Sequence, residues 1–132
     1  MSVTKEMLEK ILKDWRVRAY DDEGSFDLSQ HSPEGEEVFI SLQGRTLDEM
    51  ADSVEEYRRD YDADDHAAQI YHAKHYGSAD EQRFFAPAPE SLEDLIKDAK
   101  AIDRMYQSLA RKLRSAAKRT RRARRARKPE KV

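Results

Sequence analysis

The chain has 132 residues, 39% charged and 38% apolar, with a formal charge of −2 and no cysteine. That length suits one domain with a lean core, and the absence of cysteine excludes disulfides, thiolate metal sites and thiol nucleophiles. No apolar run approaches the ~18 residues of a membrane span, and MSVTKEMLEK carries no signal-peptide core, so a cytoplasmic protein is expected.

Leu8, Ile11, Leu12, Trp15 and Ala19 fall on one face of a helix, with Thr4 or Ser2 able to cap it. This predicts a helix to about residue 19. Trp15, Val17 and Ala19 also alternate, so WRVRAY fits a strand as well, and the helix is the preferred reading. A hairpin follows. SFDLSQH puts Phe26 and Leu28 on one face, and EVFISLQ puts Val38, Ile40 and Leu42 on one face with Phe39 and Ser41 opposite. Pro33 and Gly35 suit the second and fourth places of the turn between them. Two strands alone are marginally stable, so helices must cover the apolar face.

In GRTLDEM, Thr46 and Glu49 have capping-box spacing, and Leu47, Met50, Val54 and Tyr57 then line one stripe. YDADDHAAQIYHAKHYG reads as a further helix, capped by Asp62 or Asp64, buried along Ala67, Ile70 and Ala73 or Lys74, and ended by Gly77. SADEQRFFAPAPE, with Pro87 and Pro89, reads as a loop pinned to the core by Phe84 and Phe85. Ser91 and Asp94 open the last helix. Leu92, Leu95, Ala99, Ile102, Tyr106, Leu109, Leu113 and Ala116 then alternate steps of three and four, which makes four heptads. Extended to about Arg127, this helix is ~55 Å long, more than a compact domain of this size spans. It must project or pair with a second copy. The stripe to about Leu109 is expected to pack within the monomer and the remainder to project.

The expected fold is therefore α+β: a small antiparallel hairpin sheet of two or three strands packed by helices, with a long C-terminal helix ending in a basic arm. Residues 1–117 form the acidic domain and 118–132 the arm. The charge is divided accordingly. Residues 111–132 hold twelve Lys or Arg against one acid, a net +11, which leaves thirteen bases against twenty-six acids, a net −13, for residues 1–110.

Within the arm, KRTRRARRARK supplies Lys118, Arg119, Arg121, Arg122, Arg124, Arg125, Arg127 and Lys128. Such a run contacts phosphates by displacing condensed counterions, which is salt-sensitive and largely blind to sequence. No aromatic residue is interleaved, so base stacking is not offered. The plainer alternative is a frayed tail docked on acidic surfaces, including its own body. The acidic run TLDEMADSVEEYRRDYDADD presents Asp48, Asp52, Glu55, Glu56 and Asp60 as a candidate partner face. It is either a phosphate mimic or a solvated helix side.

His72 and His75 have i, i+3 spacing, but no H-E-x-x-H pattern and no second ligand cluster accompany them. No metal and no cofactor are expected. His66 is expected to bond the helix start, and His72 and His75 to lie at the surface. There is no nucleophile-elbow, phosphate-loop or dinucleotide motif, and only four glycines, so no enzyme is expected.

Three segments, SPEGEEVFISL, YDADDHAAQIYHAK and PESLEDLIKDAKAIDRMYQSLARKL, together resemble a group of small acidic proteins, mostly uncharacterised, of phages and conjugative elements of gut bacteria. The likeness covers about residues 25–113. The chain departs from the group at Ile70 and Tyr71, where a Trp is common, and in its Arg-rich tail. The resemblance implies a mobile-DNA setting and a role in host-defence inhibition, anti-CRISPR or antirestriction in kind. The leading expectation is thus a non-enzymatic protein, monomer or homodimer, that engages a host nuclease or ribonucleoprotein complex. The alternative is a nucleic-acid-binding accessory protein that holds DNA or RNA through its basic arm.

Overall fold

In the computed structural model, which describes residues 3–127, α1 (Lys5–Ile11) precedes three strands, β1 (Arg16–Ala19), β2 (Ser25–His31) and β3 (Glu37–Gln43). Four helices follow: α2 (Leu47–Arg59), α3 (Ala63–Tyr76), α4 (Ala79–Phe84) and α5 (Leu92–Arg127). The fold is α+β. The strands form an antiparallel sheet in the order β1-β2-β3. Leu28 pairs with Ile40 and Phe26 with Leu42, which puts the apolar positions of both strands on one face. At the hairpin turn the Gly35 N–H donates to the Ser32 carbonyl (2.9 Å), and Gly35 adopts a φ of +92°, a conformation suited to glycine. Gly24, at φ +83°, closes the other end of the sheet. A Cβ there would lie 2.6 Å from the Gly44 carbonyl oxygen, so the two backbones meet only because position 24 has no side chain.

The inner face of the sheet packs with Leu8 and Leu12 of α1, with Leu47, Met50 and Val54 of α2, and with Ile102, Tyr106, Leu109 and Leu113 of α5. A smaller cluster joins Ala67 and Ile70 of α3 to Leu95 and Ala99 of α5. Helix α5 therefore serves both clusters, its first turns holding α3 and its middle turns holding α2 and the sheet. Asp98, buried at 7% exposure, ties this helix to the hairpin. It accepts hydrogen bonds from the Ser32 hydroxyl (2.7 Å) and the Glu34 N–H (3.1 Å), so its buried carboxylate is satisfied.

Several expectations are corrected. The first helix stops at Ile11, and the Trp15 N–H turns back to the Leu12 carbonyl (3.0 Å). Residues 16–19 are strand, not helix, because they pair with β2 and satisfy a backbone edge that a two-stranded hairpin would leave open. The segment expected to be a loop contains α4, opened by a full capping box between Ser78 and Glu81. Phe85 packs on the smaller cluster, but Phe84 is 76% exposed and pins nothing. On α5 the buried stripe does not end near Leu109. Leu113, Ala116 and Ala117 are in the core as well, because α2 and α1 lie alongside these turns. Leu92, the first residue of the stripe, is exposed.

Candidate nucleic-acid interface and an acidic cleft

The caps place the functional helices. The Thr46 hydroxyl accepts from the Glu49 N–H (3.1 Å), and Glu49 reaches past the cap to the Arg45 N–H (2.9 Å). This starts α2 so that Asp48, Asp52 and Glu55 share the side facing α5. Ser91 accepts from the Asp94 N–H (3.1 Å) and starts α5. Two guanidinium forks then lock the helix pair. Arg58 of α2 donates from Nε and Nη2 to Asp103 of α5 (3.0 and 3.2 Å). Arg114 of α5 donates to Asp48 (3.3 Å), Asp52 (2.5 Å) and Glu55 (2.8 and 3.0 Å) of α2. The Arg114 guanidinium holds the Glu55 carboxyl below its ordinary range, chiefly through the hydrogen bond.

The arm continues α5 without a break. Lys118, Arg119, Arg121, Arg122, Arg124 and Arg125 are all exposed on helical backbone. Nothing in the sequence required order past Ala117. Thr120 caps back onto the Ala116 carbonyl (2.9 Å), and Arg121 bonds Asp48. Arg127 is the last helical residue, and Lys128 lies outside the described residues. Among the described residues Arg121 is the one of the six with an ion-pair partner. Among the described residues the arm therefore makes one ion pair to its own acidic body and leaves five exposed cations without one.

The proposed acidic face is thus divided. Asp48, Asp52 and Glu55 converge on Arg114, while Glu56 and Asp60 do not join them. Asp60 caps the C-terminus of α2 and opens onto a different feature, a cleft of about 650 Å³. The cleft is walled by Phe39, Tyr57, Tyr61 and Tyr106. The Tyr106 ring meets Tyr57 and Tyr61 edge-on at 5.2 and 5.7 Å. Glu36, Glu37, Asp60, Asp62 and Asp65 also line it. Burial, reinforced by the Glu36 and Asp103 carboxylates, pushes the Tyr61 hydroxyl well above its ordinary pKa. The cleft draws on three separated stretches of sequence, which is why no linear motif announced it.

His66 sits on the cleft wall, and its expected role is corrected. Its Nε2 donates to both oxygens of Glu36 (2.8 and 3.0 Å) across the fold, so it ties α3 to the hairpin and not to its own helix start. The hydrogen bond to Glu36 raises the imidazole pKa above its ordinary 6.5. A raised folded-state pKa stabilises the fold fully below the unfolded value, and the gain disappears as pH rises through the folded value. Thermal melts of the parent should therefore lose Tm above about pH 6.5. The His66→Gln variant, which cannot charge, should lack that step. Parallel pH profiles for the two proteins would mean that the pair carries no stability.

His75 bonds the Glu90 carbonyl (3.1 Å), and His72 is exposed. Among the described residues no group of three or more His, Asp or Glu is placed to hold a metal. No helix among them is long and apolar enough to cross a membrane. No family model matches the chain, and neither curated proteins nor solved structures give a match to it. The mobile-element setting rests on the three quoted segments alone.

Proposed function

We propose that the chain is a non-enzymatic nucleic-acid-binding accessory protein whose folded body holds a rigid basic helix against the phosphate backbone. One observation carries this reading: residues 118–125 continue a core-anchored helix and expose six Lys or Arg, five of them with no ion-pair partner among the described residues. The anchoring matters because a helix of like charges has little reason to form alone. Here Leu109, Leu113, Ala116 and Ala117 supply the preceding turns from within the core. A helix ~10–12 Å in diameter suits the ~12 Å major groove of B-form duplex DNA, whereas the major groove of A-form RNA is too narrow. The acidic body repels the same phosphates, so contact is confined to the arm.

The inhibitor reading, in which α2 mimics phosphates toward a host nuclease, needs free carboxylates. Arg114 engages three of the five proposed, which leaves the arm as the better-supported surface. The test is direct binding of duplex DNA across a salt series. The parent should bind at low salt with weak sequence preference, and log affinity should fall against log salt by up to ~0.9 per phosphate contacted. Replacing Lys118, Arg119, Arg122, Arg124 and Arg125 with Gln in the full chain should abolish binding and leave the melt unchanged. A parent that ignores duplex DNA at low salt would refute the proposal.

A further inference from the structure

The acidic cleft has the walls of a cation site. Tyr57 and Phe39 are about half exposed and offer ring faces at its mouth, and Tyr61 stands behind them. A guanidinium or ammonium group over such rings is held by the ring quadrupole, and nearby carboxylates strengthen the hold. The Asp60 and Glu37 side chains are exposed, and their carboxylates have no hydrogen-bond or ion-pair partner among the described residues, so their charge is available. A dense source of such cations is the chain's own arm, but it cannot reach its own cleft. Tyr106 in the cleft and Arg125 in the arm lie on one continuous helix, nineteen residues or roughly 28 Å apart. Even Lys118 lies roughly 18 Å along the axis from Tyr106. The rigidity that presents the arm therefore directs it to another molecule.

We infer that the Phe39–Tyr57–Asp60 cleft receives the basic arm of a second copy of this chain, so that copies associate head to tail. The contact is heterologous: each molecule donates an arm and accepts one, and no closed pair is required. Arm side chains seated in a neighbour's cleft are withdrawn from phosphates, so self-association and nucleic-acid binding compete for the same residues. The inference does not depend on the nucleic-acid reading, since it needs only an exposed arm and a cleft of opposite charge.

Two full-length variants test it by complementation. In one, Lys118, Arg119, Arg122 and Arg125 become Gln, which leaves the cleft intact. In the other, Glu37→Gln, Tyr57→Ala and Asp60→Asn remove the cleft's charge and ring while leaving the arm intact. All three cleft residues are exposed, and circular dichroism confirms folding before use. In sedimentation at low ionic strength the parent should run above monomer mass and return to monomer at high salt. Each variant alone should associate about tenfold more weakly or worse. Mixed together, they should form a one-to-one heterodimer and nothing larger, because only one complementary contact remains. A monomeric parent at low salt, or a mixture that stays monomeric, overturns the inference. So does a cleft variant that self-associates as well as the parent, which would seat the arm on another surface such as the α2 carboxylates. Duplex DNA affinity of the cleft variant, measured separately, should match the parent, so the two proposals fail by different readouts.

Discussion

Ile40→Asp is expected to unfold the domain, and Phe39→Asp, one residue earlier, to leave it folded. The two side chains leave opposite faces of β3. Ile40 is 2% exposed against the helices, and Phe39 is 50% exposed on the uncovered side. A carboxylate at position 40 would have no partner in an apolar layer formed by Leu28, Leu42 and the α2 and α5 stripes. Burying it unpaired costs several kcal/mol even after its pKa rises, a large part of the ~5–15 kcal/mol that holds a domain together. At position 39 the new charge meets water. Far-UV circular dichroism and urea titration of both variants decide the matter. Equal damage would mean that something covers the outer face of the sheet.

Leu109→Ala is expected to lower stability by about 2–5 kcal/mol. Leu109 is fully buried in the main cluster, where α5 meets α2 and the sheet. Truncation leaves a cavity there that Ala110 and Leu113, held by the same helix, cannot close. Leu92→Ala is the matched control. It lies on the same predicted stripe but is 40% exposed, so its change should stay within about 0.5 kcal/mol. The comparison is read from urea midpoints. An unchanged midpoint for Leu109→Ala would show that α5 is not part of the core.

Where a segment's periodicity and its caps agreed, the sequence was readable. The hairpin alternation, the Thr46 and Ser91 caps, and the stripes of α2, α3 and α5 each point to one structure and are found, except that Tyr57 and Leu92, placed on the stripes of α2 and α5, are 48% and 40% exposed. Residues 15–19 fit two periods at once. The choice was settled by the open edge of β2, a tertiary demand that local pattern does not encode. Helix α4 carries its signal in Ser78 and Glu81, but the prolines that follow favour a loop. The charge pattern was legible and its pairing was not. Sequence places Arg114 within the heptad stretch, ahead of the arm, but does not reveal that, among the described residues, it alone reaches three carboxylates of α2. Asp98 sits one step off the heptad stripe, so its role as the anchor of the hairpin turn could be seen only in space.

The position of α5 in the chain also shapes biosynthesis. The apolar face of the hairpin is complete when Leu42 is made, but its partners Ile102 to Leu113 are translated sixty or more residues later. At ~5–20 residues per second, the sixty residues from Leu42 to Ile102 take about 3–12 s. For that interval the nascent sheet has α1 and then α2 to shield it, but not the helix that completes the core. The Ser32–Asp98 contact likewise closes across sixty-six residues, a separation that slows folding and defers the contact until Asp98 has been made. A message truncated anywhere before codon 102 should therefore yield an aggregation-prone fragment with half a core, not a smaller working domain.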